Sequence, residues 1–98
     1  MSFHIDPEYF QKELEKLPGW KQEDGRIKRD YIFRAHLDAV QFVEAVSLEA
    51  IADDRFPDIF LSHARAILTL PGGEEKLSIK DLDLAAKIER FSKAYTEK

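Results

Sequence analysis

The segment from Ala35 to Asp53 constrains the fold most, because it contains no glycine or proline and carries apolar residues at helical spacing. Apolar side chains that recur every three or four residues predict an amphipathic helix. Phe42 falls near the edge of the predicted buried stripe, which consists of Leu37, Val40, Val43, Val46, Ala50 and Ile51. A stripe this broad predicts packing against a sheet, with room for a second helix from another subunit.

Strand-like segments flank this helix. Before it, Asp24-Gly25 is a strong hairpin-turn pair between predicted strands at 20–22 and 27–33. In the second strand, alternate residues are mostly apolar on one face and mostly charged on the other, which is typical of a sheet covered on one side. After the helix, the segment 59–70 is interpreted as one long strand or as two strands joined by a kink.

Further helices are predicted at both ends of the chain. Asp6 is the expected N-cap of the first helix, with Pro7 in its first turn and Pro18-Gly19 after its end. Residues 78–81 resemble a capping box that begins the last helix. The order of helix, hairpin, helix, strand or strands, and helix predicts an α+β fold. We expect a two-layer sandwich in which three helices lie on one face of an antiparallel sheet of about four strands.

Composition and charge exclude several classes of protein. The 98 residues predict a single domain spanning 1–98, and a net charge of −4 argues against a surface that coats nucleic acid. Without cysteine there is no disulfide, thiolate nucleophile or zinc–thiolate site. No apolar run approaches the ~20 residues of a membrane span, and the first residues do not resemble an export signal. We therefore expect a cytoplasmic protein with no nucleic-acid or membrane partner.

The segment 52–58, with the sequence Ala-Asp-Asp-Arg-Phe-Pro-Asp, follows the long helix at a position where folds of this kind place active-site residues. With its flanks, it resembles the signature of the pterin-4a-carbinolamine dehydratase family. The rest of the resemblance consists of Gly19-Trp20 after the first helix, Ala39 and Phe42 on the long helix, and the closing leucine, serine, aspartate and Leu-Ala pattern of residues 77–85. The resemblance covers about Leu17 to Phe91 and implies the fold of that family.

The chain departs from the family pattern at the positions that carry its chemistry. The family has two adjacent histidines before the proline and a third at the end of the following strand. Here the first two positions are Arg55 and Phe56, and the third is Gly73 when the strand is aligned from Pro57 without gaps. The loop that follows is one residue short, so the two residues before Gly73 are neighbouring candidates, and neither is a histidine.

Dehydration of a carbinolamine requires one proton to leave nitrogen and another to reach the departing hydroxyl. Imidazole suits both transfers because its ordinary pKa is about 6.5. Arginine keeps its proton up to a pKa above about 12, and phenylalanine and glycine have no proton to exchange. Loss of one general acid or base typically costs ~10²–10⁴ in rate, and here all three groups differ. We interpret the chain as a pseudoenzyme without a cofactor.

Other groupings are weaker candidates. His4, His36 and His63 are dispersed, with no pair spaced three or four residues apart, so we expect no metal site. His63 is more simply interpreted as a strand residue that faces solvent or an interface. Asp53 and Asp54 are more typical of a solvated turn than of a poised carboxylate pair.

Three classes of function remain open. One branch of the family, the small assembly factor of α-carboxysomes, keeps the fold, lacks the histidines and assists Rubisco; the resemblance to it implies a chaperone-like, carboxysome-associated protein with Rubisco subunits as partners. A second hypothesis is a divergent dehydratase of tetrahydrobiopterin recycling that uses Asp54, Asp58 or His63 for proton transfer. The third is a transcriptional cofactor, since some family members are dimerisation partners of a homeodomain protein.

The degenerate site is also the predicted partner surface, formed by Asp54, Arg55, Phe56, Pro57, Asp58 and Gly73. Aromatic and arginine side chains are favoured anchors at interfaces, so Phe56 is expected to be held rigidly and Arg55 to pair with an acidic partner. The alternative is that Phe56 fills the core. We also expect a homodimer or higher oligomer, as the family resemblance implies, with the sheets of two copies joined edge to edge.

Overall fold

A computed structural model describes residues 5–96 of the chain. Its elements are α1 (Pro7–Glu15), β1 (Lys21–Glu23), β2 (Arg26–Ile32), α2 (His36–Asp53), β3 (Asp58–Ser62), β4 (Arg65–Leu70) and α3 (Ile79–Thr96). The strands form one antiparallel sheet in the order β1-β2-β4-β3. The prediction of an α+β fold with a four-stranded antiparallel sheet and three helices is confirmed.

The first hairpin has a turn that the sequence predicts, and the second does not. Asp24 and Gly25 have φ angles of 51° and 74°, as the predicted tight turn between β1 and β2 requires. The segment 59–70 is neither one strand nor a kinked pair, because the chain reverses at His63-Ala64 and forms a second hairpin. His63 has a φ of 51°, a left-handed conformation that histidine adopts more readily than most residues. No glycine or proline marks this turn.

The core lies between one face of the sheet and the helices. The sheet contributes buried side chains at alternate positions of β2 and β4, namely Ile27, Tyr31, Ala66, Leu68 and Leu70. Phe42 of α2 lies at the centre, with its ring centroid 4.7 Å from that of Tyr31 and 5.1 Å from that of Phe33. On the helical side, the same ring lies 6.0 Å from Phe91 of α3. Phe42 therefore joins the sheet to both long helices.

The predicted buried face of α2 is rotated around the helix axis from the face that is buried in the structure. The buried face consists of Ala39, Phe42, Val46 and Ala50. A second apolar face is exposed and consists of Leu37, Val40, Leu48 and Ile51. Periodicity could not separate the two faces because both repeat at helical spacing. Tertiary packing decides between them, and the buried face combines small alanines with the central phenylalanine.

The predicted helix starts are confirmed at both ends. The Asp6 carboxylate accepts a hydrogen bond from the Glu8 backbone amide at 3.2 Å. At the start of α3, the Ser78 hydroxyl accepts from the Lys80 amide at 3.2 Å, and the Asp81 carboxylate accepts from the Ser78 amide at 2.9 Å. These reciprocal contacts form the expected capping box. Between residues 5 and 96, no helix combines the length and apolar character that a membrane span needs.

Candidate functional site

A cleft of about 400 Å³ lies where the end of α2 meets the loop between β4 and α3. Its lining residues are Asp54, Arg55, Phe56, Pro57, Asp58, Gly72, Gly73, Glu74 and Glu75. The structure thus brings together all six residues that the sequence assigned to the degenerate site. We refer to this set of lining residues as the cleft.

The end of α2 positions the first part of the cleft. Asp54 ends the helix in the left-handed conformation, with a φ of 52°, and its amide donates to carbonyls of the last helical turn. This conformation reverses the chain and is usually supplied by glycine, although aspartate tolerates it better than most residues. The segment 54–58 therefore leaves the helix abruptly and faces the loop that follows β4.

Arg55 is held by hydrogen bonds to other parts of the chain and is largely shielded from solvent. Its Nε and Nη2 atoms donate to the two carboxylate oxygens of Asp81 at 2.7 and 2.9 Å, and Nη1 donates to Glu75 at 3.3 Å. The Arg55 side chain is only 11% exposed, and that of Asp81 is fully buried. The hydrogen bond to Asp81 raises the pKa of the Arg55 guanidinium above its usual value, while burial opposes this shift. The guanidinium is therefore already paired within the chain, which argues against the predicted pairing of Arg55 with an acidic partner.

Phe56 lies at the surface, with 54% of the residue exposed. Its backbone is nevertheless fixed, because the Phe56 carbonyl accepts a hydrogen bond from the Gly72 amide at 2.8 Å. The hypothesis that Phe56 fills the core is therefore wrong, and Phe56 is an exposed residue of the cleft lining.

The loop after β4 closes the other side of the cleft. The Gly73 amide donates to the Asp58 carboxylate at 3.2 Å, and Arg26 donates to the Gly73 carbonyl at 2.8 Å. A Cβ atom on Gly72 would lie 2.6 Å from the Phe56 carbonyl oxygen, so the close approach of the two segments requires glycine there. The loop is thus attached to both the 54–58 segment and β2.

The charge of the cleft is strongly negative. Its lining includes four carboxylates and a single guanidinium. Asp58 accepts from the Gly73 amide and Glu75 accepts from Arg55. Among the side chains of residues 5–96, neither Asp54 nor Glu74 has a hydrogen-bond or ion-pair partner, so these two carboxylates are available to a ligand.

Histidine is missing from the described lining of the cleft. His63 lies in the turn at the far end of β3, roughly 16 Å of extended chain from Asp58. The His63 carbonyl lies 2.6 Å from Nδ1 of His36 at the start of α2. His4 falls outside the described residues. The structure therefore leaves Asp54 and Asp58 as the only members of the proposed proton-transfer set that reach the cleft.

The residue that sequence reasoning missed is Asp81. The sequence marked it only as a member of the capping box, and the structure gives it a second role as the buried partner of Arg55. No local pattern links the two residues, which are 26 positions apart. In the part of the chain that the structure describes, no three histidine, aspartate or glutamate side chains group as metal ligands.

Comparison with known proteins agrees with this architecture. The model of the family described as pterin 4 alpha carbinolamine dehydratase matches residues 4–91. A protein of Picosynechococcus sp., provisionally named a pterin-4-alpha-carbinolamine dehydratase, is 30% identical over 95 residues, which cover 93% of this chain and 100% of the relative.

Two solved structures share the fold. A transcriptional coactivator/pterin dehydratase from Brucella melitensis has a TM-score of 0.82 and 24% identity, covering 92% of this chain and 99% of that one. A pterin dehydratase-like protein identified as a RuBisCO assembly factor in the alpha-carboxysome has a TM-score of 0.62 and 14% identity, covering 74% and 86% of the two chains. Since the family model spans almost the whole sequence, the chain belongs to the pterin 4 alpha carbinolamine dehydratase family.

Proposed function

We propose that this protein is a non-catalytic member of the family that binds another protein and assists its assembly. The observation that carries the proposal is the Arg55–Asp81 pair, which places a locked guanidinium at a position where the family signature has a histidine. A guanidinium stays protonated at physiological pH, so it stabilises structure and charge but does not relay a proton.

Rubisco is the first partner to test. The support is a fold shared with a protein identified as a RuBisCO assembly factor in the alpha-carboxysome, together with the missing histidines. On this proposal the protein acts in the cytoplasm in association with α-carboxysome-type carbon fixation. The cleft is the proposed contact surface, and Phe56 is its aromatic anchor.

The alternative function is a divergent dehydratase. It is favoured by Asp54, whose carboxylate lies in the cleft without a partner side chain and is available for proton transfer. Asp58 is less suitable, since it already accepts a hydrogen bond from the Gly73 amide. The transcriptional-cofactor hypothesis stays a prediction.

A stopped-flow assay with a 4a-hydroxytetrahydropterin substrate tests the absence of catalysis. We expect no acceleration above the uncatalysed rate, because each missing acid or base group is worth ~10²–10⁴. The double variant Arg55→His/Phe56→His should not recover full activity, since the third position is Gly73 and catalytic groups that act together are not additive. Clear acceleration by the unaltered protein that disappears in Asp54→Asn would establish the divergent dehydratase instead.

Phe56→Ala tests the cleft as the contact surface. Because the ring is half exposed, we expect its removal to change the free energy of unfolding by less than about 1 kcal/mol, whereas Phe42→Ala in the core should cost ~3–5 kcal/mol. If the ring is an anchor, capture of purified Rubisco subunits should weaken by about 30-fold, the equivalent of ~2 kcal/mol.

The matched control is Tyr9→Ala. Tyr9 is an aromatic residue that is 43% exposed, but it lies on α1, outside both the cleft and β3. Capture should be unchanged in this variant. Equal capture by both alanine variants and the unaltered protein would remove the cleft from the proposal.

A further inference from the structure

We propose that the cleft binds a positively charged segment of the partner protein, with an arginine or lysine side chain placed against the Phe56 ring and between Asp54 and Glu74. This inference deepens the proposed function and rests on it, because it states the chemistry of the partner at the same site. It replaces the earlier expectation of an acidic partner.

The single guanidinium of the cleft is already paired within the chain. Arg55 donates to Asp81, which lies outside the cleft and is fully buried. Its positive charge is therefore used to balance an interior carboxylate. What the cleft presents to a partner is the negative charge of its rim, chiefly the unpartnered Asp54 and Glu74.

The exposed ring of Phe56 is close to carboxylates in the chain. Phe56 lies between Asp54 and Asp58 in the chain and lines the same cleft as Glu74. A cation over an aromatic face gains ~0.5–1 kcal/mol at an exposed site and ~2 kcal/mol or more when desolvated, and nearby carboxylates add to this attraction. The same chemistry occurs inside this protein, where Cζ of Arg29 lies 4.2 Å from the centre of the Tyr31 ring.

The two segments that form the cleft are bonded to each other. The Phe56 carbonyl is bonded to the Gly72 amide, and Asp58 is bonded to the Gly73 amide. The two walls of the cleft therefore hold one another in place before a partner arrives, which lowers the entropic cost of binding.

Other occupants fit the cleft less well. An acidic segment would meet four carboxylates without a free cation to balance it. A purely apolar segment would desolvate Asp54 and Glu74 without a hydrogen-bond partner, which is unfavourable. A basic segment alone satisfies both the carboxylates and the ring.

An NMR titration of the full-length ¹⁵N-labelled protein tests this inference. The probe is the peptide acetyl-Gly-Arg-Gly-Arg-Gly-amide, and the comparison peptide has glutamate in place of arginine. We expect the arginine peptide to shift amide signals within 54–58 and 72–75, and the glutamate peptide to shift none of them. Raising the ionic strength from about 0.05 to about 0.5 M should weaken binding of the arginine peptide, because salt screens exposed charges over about 10 Å at 0.1 M.

The decisive variant is Asp54→Asn/Glu74→Gln. It should weaken binding of the arginine peptide by about three- to tenfold, the usual effect of losing two exposed charge interactions. The matched control is Glu15→Gln/Glu44→Gln, which removes the same charge at two exposed residues that do not line the cleft. Binding by the control should equal that of the unaltered protein.

Some results would overturn the inference. It is wrong if both double variants weaken binding equally, if the shifts spread over other acidic surfaces, or if the glutamate peptide binds as well. Capture of Rubisco that needs Phe56 but is unaffected by Asp54→Asn/Glu74→Gln would also overturn it, while leaving the proposed function intact. If capture of Rubisco fails but the arginine peptide binds the cleft, the named partner is wrong and the charge preference is supported.

Discussion

At the scale of single residues, Arg55 joins the end of α2 to the start of α3. The guanidinium fills the space between the end of α2 and the start of α3 and neutralises a buried carboxylate. The Asp81 carboxylate also accepts a hydrogen bond from the Ser78 amide at the start of α3. One carboxylate therefore links Arg55, which follows α2, to the first turn of α3. Arg55 therefore has a structural role at the junction of the two helices.

Arg55→Met should lower the free energy of unfolding by about 3–5 kcal/mol, because it leaves the buried Asp81 carboxylate without its cation. Denaturant unfolding followed by circular dichroism measures this loss. The control is Arg65→Met, which breaks a solvent-exposed ion pair with Asp30 whose side chains are 52% and 40% exposed, and should cost far less stability than Arg55→Met. Adding Asp81→Asn to Arg55→Met should recover part of the loss. Equal effects of the two single variants would contradict this account.

At the scale of elements, Glu89 links α3 to β2 and to the residue before β1 by hydrogen bonds. Its carboxylate accepts hydrogen bonds from the Tyr31 hydroxyl at 2.6 Å, from Trp20 Nε1 at 3.0 Å and from Arg29 Nε at 3.2 Å. Burial pushes the pKa of Glu89 upward, but these hydrogen bonds and the charge of Arg29 outweigh it, so the pKa lies below the usual 4.5. Burial is also the main cause that raises the pKa of Tyr31 above its usual value.

The depressed pKa of Glu89 predicts an acid-sensitive contribution to stability. The contribution is present above the unfolded-state pKa near 4.5 and is lost as the pH falls through the lower folded-state value. Between pH 7 and pH 3, unfolding free energies of the unaltered protein should therefore fall more than those of Glu89→Gln. Glu15→Gln, at an exposed residue, should keep the full acid dependence. An acid dependence of Glu89→Gln as steep as that of the unaltered protein would contradict the assignment.

At the scale of the whole molecule, two surfaces are suited to self-association. One is the second apolar face of α2, described above. The other is β3, which lies at an edge of the sheet and carries the exposed side chains of Phe60 and Leu61. Residues that flank a two-residue turn form a hydrogen-bonded pair, and such pairs alternate along the ladder. The amides and carbonyls of Ile59 and Leu61 therefore point away from β4 toward the open edge.

We expect a homodimer in which two copies of β3 pair edge to edge. Light scattering at micromolar concentration should report twice the chain mass of 11.4 kDa. Leu61→Pro removes an edge amide that β4 does not use, and should convert the dimer to a folded monomer. Leu48→Glu on the exposed face of α2 is the control and should leave the dimer intact. A monomeric unaltered protein would contradict self-association, and a dimer lost only in Leu48→Glu would assign the interface to α2.

The composition of the candidate site was predictable, but its internal chemistry was not. The sequence placed Asp54, Arg55, Phe56, Pro57, Asp58 and Gly73 at one degenerate site, and the structure brings them together. It did not reveal that Arg55 is paired with the buried Asp81 while Phe56 is exposed, because the side-chain partners come from distant parts of the chain. Which of two neighbouring residues turns inward depends on the position of α3, and no local pattern encodes that position.

The sequence alone determined the features that depend on neighbouring residues. The Asp24-Gly25 turn and the Ser78–Asp81 capping box were predicted because their hydrogen bonds join residues two to four positions apart. Tertiary structure decided which apolar face of α2 is buried, how 59–70 divides at His63, and that Arg55 pairs with a residue 26 positions away. The physical reason is that these outcomes depend on packing between helices and strands that are distant in sequence. Those elements come into contact only when the chain folds.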